Sequence, residues 1–252
     1  MKFVFLGTTG YHPNNRRHTP SIMFPEIGLI LDAGTGFFRA RDLIQTNQLH
    51  VFLSHIHLDH CFGLTFLFDI GFEKNLQPTK VYVDSEKIDV LNKHFFHELL
   101  FPAQLPLEFS PISDAKTGSH QFLLPNETKL TTFPLKHPGG AVGFVIEQDS
   151  KTVAYVTDTT ASLDEPYLRY IQNVDVLIHE CYFPDGEEEK AELTGHSCAT
   201  PVAKVAKECN VGELLLVHVN PLNESDDPIG IENVRKVFRN ARIPSDFDTV
   251  DL

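Results

Sequence analysis

The sequence predicts a mixed α/β fold, and three observations carry the prediction. Short β-branched and aromatic runs alternate with amphipathic stretches, the alternation occurs twice along the chain, and no Gly/Ser linker or low-complexity run separates the two halves. With 252 residues, 42% of them apolar and 20 of them Phe, the chain can furnish a sizeable core in one large domain or two small ones.

The elements follow in order. The opening apolar run gives a buried strand near 2–6; it is far too short for a secretory signal or a membrane span. Strands follow near 21–31 and 49–54, then a helix opened by Asp59 and another near 86–100. The second half repeats the theme, with strands near 128–136, 142–147, 152–157, 174–179 and 213–219 and helices near 198–208 and 230–240. In the last helix Ile231, Val234, Val237 and Phe238 fall on one face. Cys61, Cys181, Cys198 and Cys209 show no Cys-x-x-Cys spacing, so they read as reduced thiols in a cytoplasmic protein, with Cys61 as a small buried residue opening its helix.

The densest chemical signal is His55-Ile56-His57-Leu58-Asp59-His60, directly after the strand at 49–54. His55 and His57 share a side at the two-residue strand period, while Asp59 and His60 begin the next turn and can face the same cavity. Imidazole nitrogen with a carboxylate oxygen suits a borderline divalent ion such as zinc, with manganese and iron as alternatives. Three more metal-capable side chains end apolar runs further along: His137 before Pro138-Gly139-Gly140, Asp158 after 152–157, and His218 after 213–217.

A His-x-His-x-Asp-His turn after a strand, followed by His, Asp and His at later strand ends, resembles the signature of the metallo-β-lactamase superfamily. The resemblance implies a four-layer αββα sandwich spanning residues 1–252 as a single domain. It also implies two divalent ions: His55, His57 and His137 hold one, Asp59, His60 and His218 the other, and Asp158 bridges both together with a hydroxide that attacks the substrate.

Two further elements, His179-Glu180-Cys181-Tyr182 and Gly195-His196-Ser197-Cys198, resemble the His-Glu-Ala-Thr and His-Ser-Thr elements of ribonuclease Z and related phosphodiesterases of the superfamily. Cys181, Tyr182 and Cys198 depart from that pattern, whereas Glu180 and His196 are retained. By the resemblance, His196 contacts the scissile phosphate or protonates the leaving oxygen, and Glu180 holds its tautomer and raises its pKa. Asp59, Glu180 and His196 are therefore the candidate catalytic residues. Ser197 is a fair N-cap for the following helix, and His179 reads as a packing residue. Asp32, in Asp32-Ala33-Gly34, resembles the Asp-x-Gly turn that supports the metal-binding loop; a plain turn is the other reading. The segment 7–19 resembles the family's first loop, in which Arg16 and Arg17 either contact phosphate or stay solvated.

For the substrate, the resemblance and the composition pull apart. Ribonuclease Z enzymes usually insert a long arm that grips tRNA between the third His and the bridging Asp, yet here His137 and Asp158 are only 21 positions apart (158 less 137). A formal charge of −13, from 21 basic against 34 acidic residues, repels a polyanion over most of the surface. A small cyclic or nucleotide phosphodiester escapes both objections, because two divalent ions create an electropositive pocket within an acidic protein. The expectation is therefore a small-molecule phosphodiesterase, with RNA disfavoured. The alternatives are a ribonuclease Z-like tRNA 3′-processing endoribonuclease and a lactone or thioester hydrolase of the same fold. Phe62, Phe66, Phe68, Phe72, Phe95 and Phe96 could wall the pocket and stack on a base, or simply fill core. The acidic run 185–189 reads as a solvated, mobile loop; no membrane partner is expected, and family analogy allows a homodimer.

Overall fold

In the computed structural model, which describes residues 1–112, 115–116 and 118–252, two sheets face each other. The first half of the chain supplies β1 (Lys2–Gly7), β2 (Ser21–Phe24), β3 (Leu29–Leu31), β4 (His50–Phe52), α1 (Leu58–Cys61), α2 (Leu67–Lys74), β5 (Thr79–Asp84), α3 (Ser85–Val90) and β6 (Leu107–Ile112). The second supplies β7 (His120–Leu123), β8 (Lys129–Leu135), β9 (Ala141–Gln148), β10 (Lys151–Val156), β11 (Val176–Glu180), α4 (Glu188–Thr194), α5 (Ala199–Glu208), β12 (Glu213–Val217), α6 (Ile231–Val237) and β13 (Ala241–Arg242). Finally β14 (Thr249–Asp251) returns to pair with β1. The sheet orders are β14-β1-β2-β3-β4-β5-β6 and β13-β12-β11-β10-β9-β8-β7. Each sheet starts as an antiparallel meander and becomes parallel from β3 to β6 or from β10 to β13, where crossovers with helices feed it.

Strand period explains the layering. Phe3 and Phe5 of β1 point between the sheets while Val4 and Leu6 point outward; Leu215 and Val217 of β12 point between the sheets while Leu214 and Leu216 point outward. Because both faces are covered, these strands read as continuous apolar runs. Between the sheets, the Phe52 ring stacks on Tyr82 at 4.1 Å and meets Phe144 of the opposite sheet edge-on at 5.9 Å. Outside the first sheet lie Phe37, Leu64, Leu67 and Ile70; outside the second lie Val202, Val205 and Ala206 of α5 and Val234 of α6. This is the αββα sandwich that the family resemblance implies.

Several elements differ from the sequence reading. The run 21–31 is two strands split by a turn that needs Gly28 at φ +66°. Segment 86–100 stays α-helical only to Val90 and then widens into a π-type turn over Leu91–Phe95. The acidic run is not a loose loop: Glu188 and Glu189 open α4, and the Asp185 carboxylate accepts hydrogen bonds from Thr200 N and Oγ1, capping α5. Ser197 is thereby relieved of capping; its Oγ accepts from Ala161 N and donates to Thr159 O. No described helix is long and apolar enough to cross a membrane.

Candidate active site

The loops that leave the carboxyl ends of β3, β4, β8, β10, β11 and β12 meet at one rim of the sandwich, where an open α/β edge collects ligands. Seven side chains converge there. Asp158 stands between two groups: its Oδ2 lies 3.5 Å from His55 Nε2 and 3.6 Å from His137 Nε2, and its Oδ1 lies 3.3 Å from both His60 Nε2 and His218 Nε2. His57 Nδ1 approaches His137 Nε2 at 3.3 Å. Asp59 Oδ2 lies 3.3 Å from His218 Nε2 and 3.5 Å from His60 Nε2. One carboxylate oxygen thus serves each group.

What turns the imidazoles inward is a set of buried acceptors behind them. Asp32 is fully buried; its Oδ1 accepts from Ser54 N at 2.7 Å and Ser54 Oγ at 2.8 Å, and its Oδ2 accepts from Tyr155 Oη at 2.9 Å and His60 Nδ1 at 2.8 Å. His137 Nδ1 donates to Gly195 O at 3.1 Å. Donation from Nδ1 leaves a lone pair on the Nε2 of His60 and of His137, both facing the cluster. Asp32, Asp158 and His218 have φ of +56°, +35° and +57°, a left-handed backbone that costs about 1 kcal/mol or more per residue and gathers at functional sites. Gly10 fits closely: a Cβ there would meet the His218 ring at 2.4 Å.

This donor set fits divalent metal. His55 Nε2 is buried with no hydrogen-bond partner, and the His60 and His218 Nε2 atoms face each other at 3.2 Å, a spacing that a shared cation would bridge. Two groups, His55/His57/His137/Asp158 and Asp59/His60/His218, each bring their ligand atoms within 4.8 Å of one another, and a third, Asp158/His196/His218, overlaps both. Burial, with the neighbouring histidine charges, holds His55 well below its ordinary pKa and lowers His57; burial pulls His137 down to about 4. These three imidazoles are neutral, as ligands must be. Burial opposes ionisation of Asp158, but His218, His60 and His55 hold it well below the carboxylate range.

Beside the cluster, His196 Nδ1 stands 3.6 Å from Glu180 Oε1, an electrostatic contact longer than a hydrogen bond. Burial pulls the His196 pKa down, yet the Glu180 charge overrides it and the net shift is upward. Glu180 is fully buried and also accepts from Thr159 N and Tyr182 N. His179 is held away from the cluster, with Nε2 3.0 Å from Tyr167 Oη and Nδ1 donating to Glu180 O. A cavity of about 660 Å³ opens next to His137, walled by Pro138, Thr160, Glu165, Leu193 and Gly195.

Other readings need correction. Arg16 pairs with Asp226 and donates to Glu224 O, and Arg17 is buried, donating to Thr8 Oγ1 and Pro244 O; both guanidiniums tie the first loop to the C-terminal segments rather than waiting for phosphate. Phe66, Phe95 and Phe96 pack on the outer core of the first sheet, and Phe62, Phe68 and Phe72 are exposed. Among the described residues, the aromatic side chain that packs against His196 and His218 is Tyr182. Sequence reading passed over it as a mere departure from a motif. Cys61 lies outside the cluster, its thiol pushed up to about 12 by burial.

The family model for the β-lactamase superfamily domain matches residues 29–219, which include every residue of the cluster. The chain belongs to the β-lactamase superfamily. Among curated relatives, ribonuclease Z of Archaeoglobus fulgidus is 25% identical over 308 aligned positions, covering 100% of this chain and 98% of that protein. Ribonuclease Z of Oceanobacillus iheyensis is 24% identical and covers 100% of both. Three solved structures share the fold: human tRNase Z, short form, at TM-score 0.79 and 20% identity over 100% of this chain and 99% of that one; YhfI of Bacillus subtilis at 0.78 and 20% over 99% of both; and a diphosphatase from the PhnP family at 0.74 and 16% over 99% and 96%. This superfamily member is accordingly a hydrolase, and superfamily members hold divalent metal ions.

Proposed function

We propose that the protein is a phosphodiesterase of the ribonuclease Z kind, and that it folds and works as one unit over residues 1–252. The observation that carries this reading is Glu180 and His196 standing beside a seven-residue metal cluster. His55, His57 and His137 would hold one divalent ion and Asp59, His60 and His218 a second, with Asp158 shared. Zinc is the leading candidate, manganese or iron the alternatives. When bound, such ions supply a nucleophile from water at neutral pH and neutralise charge on the attacked phosphate.

The chain's own residues do the rest. Asp32 and Gly195 O fix the tautomers of His60 and His137. Asp59, whose Oδ2 accepts from Tyr11 N at 2.8 Å, is placed to orient the attacking water. His196, whose protonated form the Glu180 charge favours, is placed to donate to the phosphate and to give its proton to the leaving oxygen.

The curated relatives favour RNA as substrate, since those that align with the chain from end to end carry the name ribonuclease Z. Cleavage at the 3′ side of tRNA is therefore the better supported reading. A second reading, a small cyclic or nucleotide diester, rests on a specific observation. The interval from His137 to Asp158 is filled by the turn at 137–140, β9 and β10, which leaves no segment there to grip tRNA. The alignment with the Archaeoglobus protein has 308 positions, and 308 less the chain's 252 leaves at least 56 for which this chain has no residue.

The test is hydrolysis of bis(p-nitrophenyl) phosphate by chelator-stripped protein with zinc, manganese or iron added back, followed by a tRNA precursor with a 3′ trailer and a cyclic nucleotide side by side. Metal-restored cleavage of the diester supports the reading, and the second pair decides the substrate. Binding of two ions with no diester cleaved would overturn it in favour of a lactone or thioester substrate.

A further inference from the structure

Two tyrosines stand at the rim of the cluster, each fastened by its backbone amide to a carboxylate of the site. Tyr11 N donates to Asp59 Oδ2 at 2.8 Å, and Tyr182 N donates to Glu180 Oε2 at 3.1 Å. Tyr11 is 75% exposed and has φ of +58°, a conformation that is uncommon for a bulky side chain. The segment just before it is pinned to the loop after β12, with His218 N donating to Thr8 O and Gly10 N donating to Val219 O. Strain and exposure together hold an aromatic ring where folding alone gains little from it.

Tyr182 is half-buried, its ring 5.1 Å from His196 at an interplanar angle of 22° and 5.9 Å from His218. Among the described residues neither phenol hydroxyl has a hydrogen-bond partner; the backbone amides are what fasten the two residues to the site. Tyr182 stands where the ribonuclease Z element that this segment resembles has Thr.

We infer that Tyr11 and Tyr182 form an aromatic subsite that stacks the nucleobase next to the scissile phosphate. The inference rests on the phosphodiesterase reading and deepens it. A base attached to a phosphate bound at the cluster reaches only the rim around it, and every base has a π-face that a phenol can stack on without reading sequence. Stacking gives affinity to a substrate for which the acidic surface offers none, and it serves a base in a small nucleotide and a base in RNA alike.

The experiment uses the absence of Trp from the sequence. Tyr11→Trp places a single indole in the metal-loaded protein, and its fluorescence is titrated with AMP, with ribose 5-phosphate and with a short oligoribonucleotide. Stacking predicts saturable quenching by AMP and none by ribose 5-phosphate. In the wild-type background, AMP binds more tightly than ribose 5-phosphate by calorimetry, and Tyr11→Ala and Tyr182→Ala each weaken AMP about tenfold while leaving ribose 5-phosphate unchanged. Tyr182→Phe, which keeps the ring, restores AMP affinity. Stronger quenching by the oligonucleotide than by AMP assigns the base to RNA; equal quenching assigns it to a free nucleotide. Equal binding of AMP and ribose 5-phosphate by the wild type overturns the inference. So does a Tyr182→Ala protein that weakens both alike, which would reduce Tyr182 to a support for His196. Because binding is read without turnover, a failure of diester hydrolysis remains a separate result.

Discussion

Asp32 gathers Ser54, Tyr155 and His60 onto one buried carboxylate, although none of its atoms faces the space between the ligands. Removing an acceptor of that kind typically weakens metal binding 10- to 100-fold. Asp32→Ala is therefore expected to lower metal affinity by about that factor, read by competition with a chromophoric chelator, while His60 itself is intact. His196 stands at the cluster's edge, within 4.8 Å of ligand atoms of Asp158 and His218 and beside Glu180, where it can act as an acid rather than as a ligand. His196→Ala should retain its metal content by atomic absorption and lose about 10²- to 10⁴-fold in kcat on diesters, the usual worth of a positioned acid. Loss of metal in that variant would make His196 a ligand instead. Much of this was legible in the sequence because four candidate ligands lie within His55–His60 and the others each end an apolar run. Tyr155 and Tyr182 were not, because their contacts depend on which strand ends meet: Tyr155 is 123 residues from Asp32, and Tyr182 meets His196 only once β11 and the turn before α5 are placed together.

Strands buried on both faces announce themselves as apolar runs, which is why β1, β9, β10 and β12 were readable. β6 and β7 were not, since their side chains are mostly half-exposed and Leu107–Ile112 contains a proline that argues against a strand. At the start of α4 the charges of Glu188 and Glu189 looked like solvated loop, yet acidic residues in the first turn suit a helix N-terminus. Two expectations belong at this scale. Phe144 of β9 fills the space between the sheets with no exposure, so Phe144→Ala should cost about 3–5 kcal/mol in urea unfolding. Gly10→Ala should behave oppositely: Gly10 lies in the loop after β1 against the His218 ring, so the variant should keep most of the stability of the metal-free protein and lose metal affinity, measured by the same chelator competition. A Gly10→Ala protein with unchanged metal affinity would show that the loop can retreat from His218.

The sandwich brings its two sheets together at the cluster, and this ties the metal to the stability of the whole molecule. His55, His57, Asp59 and His60 follow β4 of the first sheet, whereas His137, Asp158 and His218 follow β8, β10 and β12 of the second. Ions held by both sets would join the sheets at one rim, and their removal leaves the Asp59 and Asp158 carboxylates facing each other across His60 with no metal between them. A ligand present at about 1,000 times its dissociation constant stabilises the folded state by about 4 kcal/mol, and for a chain of this size each kcal/mol moves Tm by about 2–4 °C. Chelation should therefore lower Tm by about 8–16 °C, and adding zinc should restore it. Asp158→Asn offers the control, because without the carboxylate between the two groups the stripped and zinc-treated proteins should melt within a few degrees of each other. If the wild type melts at the same temperature with and without chelator, the inter-sheet core around Phe52, Tyr82 and Phe144 carries the docking of the sheets unaided, and the cluster contributes only chemistry.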